Sequence, residues 1–420
     1  MSQDEQPQVK VGVINPYALG ELVSGKQMAW NKIFEPKKKL AEIFDMLEDD
    51  IFHHSSFILN PHKDTQVDKQ SAKLPIKNIR ENLEKFLVSK VKNLKDNHRH
   101  LLTKLVETTA QEEEANSTPG NSAELLTKLV ETTAQEEGAN STPWNPADKE
   151  WFDKGDYFED VVELNDPIQG ILGDCYFISA LSSVAWARPY AIVNMVRSSG
   201  VNDEESPIHK VIFYKDGLAK NQTVIEVSEK TPVAKTTRAW VYARSLDATE
   251  IWPAVMEKAY AKWRTQNTTD CPDYTPIAGG DPVMACAQLV SGSRTYKWNK
   301  NETADALWTF VRTHSLSMRT INPMTAWTYE TQPAGTNYTA ANLVANHAYS
   351  VLGWDSVNNE KYIVLRNPWG NHHATLDTRS GTWGAYQESF LNNIPLNTNG
   401  IFSMKASTFQ KHFAGIGVVV

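Results

Sequence analysis

Cysteine, long apolar runs and excess positive charge are all scarce in this sequence, and each shortage excludes something. Its 420 residues hold three cysteines, Cys175, Cys271 and Cys286. Three thiols cannot build the disulfide framework of a small secreted domain, and the odd count leaves at least one free. A reducing, cytoplasmic setting is the expectation. The longest mostly apolar stretch, Tyr176–Ala187, is too short to cross a bilayer, so no membrane span is expected. The first ten residues, MSQDEQPQVK, lack the charged-then-apolar profile of a signal peptide. A formal net charge of −8 disfavours nucleic acid as the main partner, because phosphate binding needs a basic face. What remains is ordinary for a soluble protein: 41% hydrophobic and 22% charged residues, with length enough for two or three domains.

Four regions follow from composition and pattern. Residues 1–100 are polar with amphipathic helical patches at Phe34–Phe52 and Pro75–Leu94, a small helical domain or a propeptide-like arm of unknown role. The histidines at 53, 54, 98 and 100 have no cysteine or carboxylate to complete a metal site and read as surface residues. Residues 101–143 carry a tandem repeat: LLTKLVETTAQEEEANSTP at Leu101–Pro119 recurs at Leu125–Pro143 with Gly138 in place of Glu114. Two copies are too few to stack into a solenoid, so the segment reads as a linker, with a partner-binding helix presented twice as the alternative. From Trp144 the chain turns aromatic, strand-forming and glycine-rich. A glycine cluster at Gly279–Gly280 divides it into a first lobe over 144–278 and a second over 279–420.

The chain is organised around QGILGDCYFISALSSVAW, Gln169–Trp186. A glycine-broken turn leads into a run whose Phe177, Ile178, Leu181, Val184 and Ala185 have helical spacing. Cys175 stands at the predicted helix start, with Asp174 as its N-cap. A thiol there meets the positive end of the helix dipole and unpaired N–H groups, which favours thiolate. Gln169, six residues upstream, can offer an amide to an oxyanion. A lone cysteine before an apolar helix can equally be a packed core residue. A nucleophile requires a base.

The base comes from the second lobe. His347 opens a strand-like HAYSVLGW; KYIVLRN, Lys361–Asn367, forms the next strand, and the short connector Asp355–Glu360 makes the two an antiparallel hairpin. That pairing sets Asn367 across from His347, where its side-chain oxygen can orient the imidazole. Pro368 ends the ladder, and Trp369 can cover the contact. His314, His372 and His373 are rival bases without such an orienting partner. Earlier, Val211–Tyr214 and Thr223–Val227 form strands about a Lys215–Asp216–Gly217 turn, and Ile251–Trp263 forms a helix with Pro253 in its first turn.

QGILGDCYF, NHAYSVLGWD and LRNPWG closely resemble, in this order, the catalytic core of the calpains, papain-like cysteine endopeptidases; EIWPAVMEKAYAK resembles the stretch that closes their first lobe. The resemblance covers roughly Trp144–Val420. It implies an α+β, papain-like two-lobe core, with a helical lobe carrying the nucleophile and a β-rich lobe carrying His and Asn; the helical N-terminal extension read from apolar spacing has no recognised counterpart there. It also implies Cys175 as nucleophile, His347 as base, Asn367 as orienter and Gln169 as oxyanion-hole donor, acting on protein or peptide substrates. Calcium is the implied cofactor. Asp166 and Glu250 fall where the family places first-lobe carboxylate ligands, although either can be a surface carboxylate or a cap. The second-lobe site looks degraded: NHHATLD stands where the family has an acidic loop, and Asn399 and Ile401 replace a later acidic pair. No EF-hand loop or obvious C2-like module is expected before Val420. Two rival functions remain at this level: a transamidase-like acyl transferase using the same residues, and a non-catalytic calpain-like binding protein.

Overall fold

In the structure, a computed structural model, residues 9–18, 149–153, 157, 162–201, 206–247, 250–385 and 394–420 are described. Contacts divide the chain into two units, Met1–Lys32 with Ala134–Val420 and Ile33–Thr133; every described residue belongs to the first. The helical patches, the histidines at 53–100 and the tandem repeat lie outside the described residues.

The core is α+β and two-lobed, with a central helix, α1 (Cys175–Ala187), buried between the lobes. The apolar spacing predicts one buried face, yet every residue from Cys175 to Trp186 is buried. The cause is tertiary, since the helix meets the helical lobe on one side and the sheet of the other lobe on the opposite side. Its small polar residues and its indole serve that second contact. The Ser179 carbonyl accepts from Ser350 Oγ at 2.8 Å, Ser183 Oγ donates to the Met324 carbonyl at 2.8 Å, and Trp186 Nε1 donates to the Leu352 carbonyl at 2.6 Å. Burying Phe177, Ile178, Leu181 and Val184 contributes roughly 1.5–3 kcal/mol each, while those bonds fix which sheet residues face the helix.

In the helical lobe β1 (Lys149–Phe152) precedes α1, and α2 (Pro189–Met195) follows it. Next come β2 (Val196–Val201), β3 (Pro207–Tyr214) and β4 (Gln222–Ser228), an antiparallel three-stranded sheet. Its β3–β4 connection contains the expected Lys215–Asp216–Gly217 turn, with Asp216 at φ 58°. β5 (Thr231–Ala234) pairs with β1. The predicted second helix is α3 (Trp252–Thr265), with proline in its first turn and Val255, Ala259 and Tyr260 buried. Tyr260 stacks on Phe177 with ring centroids 4.0 Å apart, which locks α3 against α1.

Beyond Gly279–Gly280 lies α4 (Pro282–Val290), capped by Asp281 Oδ1, which accepts from the amides of Val283 and Met284. Its Val283, Cys286 and Leu289 enter the same core as α1 and α3. The apolar core of the helical lobe thus continues past the glycine pair to Val290.

The second lobe is a nine-stranded sheet. It comprises β6 (Arg294–Trp298), then, after α5 (Ala304–Thr313), β7 (Ser315–Leu316), β8 (Arg319–Thr320) and β9 (Met324–Thr328), followed by α6 (Tyr338–Ala341). β10 (Ala348–Val357), β11 (Glu360–Arg366) and β12 (Thr378–Arg379) come next; β13 (Thr382–Trp383) pairs with β14 (Ile394–Pro395) outside this sheet. β15 (Ile401–Lys405), α7 (Ala406–His412) and β16 (Phe413–Val419) complete the chain order. The central strands run β15–β11–β10–β9–β16. β10 and β11 are the predicted hairpin, antiparallel with Val357 opposite Glu360. Its two-residue turn is Asn358–Asn359, both at positive φ (52° and 65°), a conformation that asparagine tolerates better than most residues.

Candidate active site

Cys175 is the first residue of α1, and the segment before it reaches that point only because Gly170 has no side chain. A Cβ there would strike the Tyr242 backbone. Asp174 occupies the N-cap position, but its carboxylate caps nothing. It turns instead to Glu257 of α3, with which it hydrogen-bonds in full burial. Two carboxyls in that contact need a shared proton, and burial raises Asp174 to about 7 and Glu257 well above its usual range. Glu257 Oε2 also accepts from the Ala243 amide at 3.0 Å. The expected cap is lost because this pairing competes for the carboxyl.

The thiol is fully buried. Amides of Ala348, Val13 and Tyr176 hydrogen-bond the sulfur, but burial outweighs them and pushes the thiol up to about 12. In this closed arrangement desolvation overcomes the thiolate-favouring helix start that the sequence suggests.

Across the lobe boundary the His347 imidazole is completely buried. Its Nε2 lies 2.9 Å from Asn367 Oδ1, and the same oxygen accepts from the Trp369 amide at 3.0 Å. Two donors on one oxygen settle the amide orientation, so the imidazole proton sits on Nε2 and Nδ1 keeps its lone pair. That Nδ1 is buried without a hydrogen-bond partner. The Trp369 ring lies 4.8 Å, centroid to centroid, from the imidazole and seals it from water. Burial lowers His347 to about 3, keeping the ring neutral. The rival histidines have other occupations: His314 ends α5 against Phe310, and His372 faces the Asn342 carbonyl at 3.1 Å.

Gln169 is also fully buried. Its backbone N–H donates to the Pro368 carbonyl at 3.0 Å, tying the nucleophile loop to the segment that follows Asn367. Its Nε2 donates to the carbonyls of Val13 (2.5 Å) and Leu172 (2.6 Å).

One residue inside a recognised motif carries more than the sequence reveals. Arg366, from LRNPWG, is fully buried. Its Nη1 donates to the Pro167 carbonyl (3.0 Å) and Ser182 Oγ (2.8 Å), Nη2 to the Asn165 carbonyl (2.9 Å), and Nε to the Asn399 carbonyl (3.2 Å). It joins the sheet to the loop that leads into Gln169. A buried arginine on a strand facing chain carbonyls has no periodicity signal that would expose it.

The structure thus carries a buried thiol at the start of α1 and, on the sheet of the second lobe, a neutral imidazole held by an asparagine. The family model described as calpain family cysteine protease matches residues 114–420, well over half of the chain. This chain belongs to the calpain family. A thiol protease of Porphyromonas gingivalis is 28% identical over 262 residues, covering 59% of this chain and 53% of that protein. The calpain-type cysteine protease DEK1 of Zea mays is 27% identical over 272 residues, 62% of this chain and 12% of that one. The calpain-2 catalytic subunit of Gallus gallus is 24% identical over 265 residues, 60% and 35% respectively. The chain spans about half the length of the first of these relatives and less of the other two. The family match begins at residue 114, inside the repeat and upstream of Trp144, where the resemblance in the sequence motifs begins.

In this calpain core Asp166 and Glu250 are brought together. Both are buried, and Asp166 is raised to about 8, by burial first and by the Glu250 carboxylate second. Asp166 Oδ2 accepts from the Glu163 amide (2.7 Å) and Trp252 Nε1 (3.1 Å), and Glu250 Oε2 from Ser245 Oγ (3.0 Å). Among the described residues no group of three or more His, Cys, Asp or Glu side chains is placed to hold a metal. The second-lobe positions serve other ends: the Asn399 carbonyl accepts from Arg366, and Ile401 pairs with Arg366 in the sheet. Among the described residues no helix is long and apolar enough to cross a membrane.

Proposed function

We propose that this protein is a cysteine endopeptidase acting through Cys175, His347 and Asn367. The observation that carries the reading is the His347–Asn367 pair, 2.9 Å apart and sealed by Trp369, which leaves the Nδ1 of a neutral imidazole available as a base for Cys175. His347 Nδ1 takes the thiol proton, the sulfur attacks a peptide carbonyl, and the negative oxygen is held by Gln169 Nε2 and the Cys175 N–H. The imidazolium then protonates the leaving amine, and water releases the acyl group. Digestion of an unfolded protein by wild type and by Cys175→Ala tests this. Loss of cleavage in the variant is expected, and cleavage at an unchanged rate would overturn it. An added amine acceptor separates hydrolysis from the transamidase alternative, and thiol labelling separates both from a binding protein.

Asp166 and Glu250 fit a calcium ion in the kind of donor they offer: two hard carboxylates, buried together, where one otherwise holds a proton. These residues would hold it, and the ion would supply the charge that lets both stay ionised. Thermal melting with calcium and with chelator tests the site without recourse to activity, since a ligand of the folded form raises apparent stability.

The duplicated linker offers aliphatic residues, Leu105–Val106 and Leu129–Val130, among small polar ones. A tethered segment reaches a cleft at high effective concentration. Autolysis within 101–143 is the proposed consequence, giving a core that begins near Trp144. New N-termini that appear in wild type but not in Cys175→Ala are the expected result.

A further inference from the structure

An extended segment far from the catalytic residues in sequence lies directly on them. Val11 and Gly280 exchange both backbone hydrogen bonds, each 2.9 Å, as an antiparallel bridge. The Gly12 N–H donates to the carbonyl of Asn346, the residue before His347, at 3.1 Å. The Val13 carbonyl takes Gln169 Nε2, and the Val13 amide hydrogen-bonds the Cys175 sulfur. The Asn15 N–H donates to the Gly170 carbonyl (3.1 Å), and Asn15 Nδ2 to the Gln169 carbonyl (2.6 Å). Val13 packs with Val344 and Trp369, and Tyr17 meets Trp369 edge-on with centroids 6.1 Å apart. Val11, Val13 and Asn15 are buried. The segment thus touches both lobes, meeting Gln169, Cys175, the residue before His347 and the Trp369 that covers it, and it does so mainly through backbone, as a peptide added to a strand edge does.

Glycine keys its register. A Cβ on Gly12 would run into the Gly173 carbonyl oxygen and come within 2.6 and 2.7 Å of the Gly279 Cα and N. Those neighbours are backbone and cannot swing aside.

We propose that residues 9–18 are a strap that fills the substrate cleft of this enzyme and holds it shut, with Gly12 as the residue that lets it enter. The proposal rests on the endopeptidase reading only for calling the cleft a substrate cleft; that the strap covers Cys175 is independent of it. The register is that of a blocker rather than of a bond about to be cut. The peptide nitrogen at the sulfur belongs to the Gly12–Val13 unit, whereas the carbonyl held by Gln169 belongs to the next unit. Attack needs one carbonyl carbon at the sulfur with its own oxygen on the donor. Complete burial of Cys175, Gln169 and His347 follows from this occupancy together with the lobe contact, and lifting the strap returns water to the thiol.

The test uses the full chain as wild type, Gly12→Leu and Asn15→Ala. Two rates are read: alkylation of Cys175 by iodoacetamide, resolved from Cys271 and Cys286 by peptide mass mapping, and hydrolysis of an unfolded protein. At least ten-fold faster Cys175 alkylation is expected in Gly12→Leu and a smaller rise in Asn15→Ala, with hydrolysis rising in parallel. The synthetic peptide VKVGVINPYA should slow alkylation of Gly12→Leu again, and the same peptide with leucine at its fourth position should not. Circular dichroism and the melting curve show that each variant is folded; should Gly12→Leu fail that check, Asn15→Ala and the two peptides decide. Equal alkylation of wild type and folded variants overturns the strap. Equal alkylation with vigorous hydrolysis by all of them leaves the endopeptidase standing without a strap. Faster alkylation with no hydrolysis by any of them leaves the strap standing and removes the endopeptidase.

Discussion

Replacing Arg366 with methionine is expected to loosen the two lobes from each other and to weaken the site through the seam between them. The side chain makes four hydrogen bonds from a buried cation to three carbonyls and one hydroxyl. Two of those acceptors, on Asn165 and Asn399, belong to half-buried residues and can find water once the guanidinium is gone. The Pro167 carbonyl and Ser182 Oγ belong to buried residues and cannot. At about 1–3 kcal/mol for each orphaned buried group, the loss is roughly 2–6 kcal/mol. Against it stands the relief of no longer burying a charge, since burial lowers Arg366 to about 9 even with Asp166 opposing the shift. The net expectation is a loss of about 3 kcal/mol, a large share of the ~5–15 kcal/mol that typically holds a folded domain. Urea unfolding measures it as a fall in midpoint at unchanged slope. Arg366→Lys should lie between, because one ammonium cannot span acceptors arrayed around a planar fork. A loss below about 1 kcal/mol in Arg366→Met would show that the cross-lobe bonds merely accompany the packing and do not sustain it.

Other expectations follow from the same geometry. Asn367→Ala should leave weak hydrolysis and an intact fold, with kcat down about 10–100-fold, because it frees the His347 ring to rotate without removing the base; full activity would refute its orienting role. His347→Ala should abolish cleavage altogether and leave Cys175 present but inert, as read by hydrolysis and by mass spectrometry of the intact chain. Stability should fall as pH rises from about 7.5 to about 8.5. Asp166 and Asp174 are raised in the fold to about 8 and about 7, so their protonated forms support it below the unfolded value near 4, and that support is lost as pH climbs through 7 and 8. Over this window unfolded histidine is largely neutral and does not mask the trend. A melting temperature that is flat or rising across the window would refute the carboxyl pairs. Asp166→Asn should flatten part of the slope, and calcium should do the same if it replaces the proton there.

The sequence alone carried the parts of this protein that depend on local pattern. Apolar spacing set the helix that begins at Cys175, proline in the first turn marked α3, and the short, turn-rich connector Asp355–Glu360 made a hairpin that returns Asn367 toward His347. Those features are legible because a turn or a helix start is decided by residues within a few positions of one another. The tertiary structure decided what depends on groups far apart in the chain. It buried α1 on every side, so that its serines and Trp186 became cross-lobe donors and acceptors. It turned Asp174 from cap to carboxyl partner of Glu257, a choice settled by α3 and invisible at position 174. It made Arg366 the tie between sheet and nucleophile loop. It also laid residues 9–18 across the cleft, where a glycine between two valines gives no local sign of its destination. In each case burial and a distant partner, rather than local propensity, determine what the side chain does.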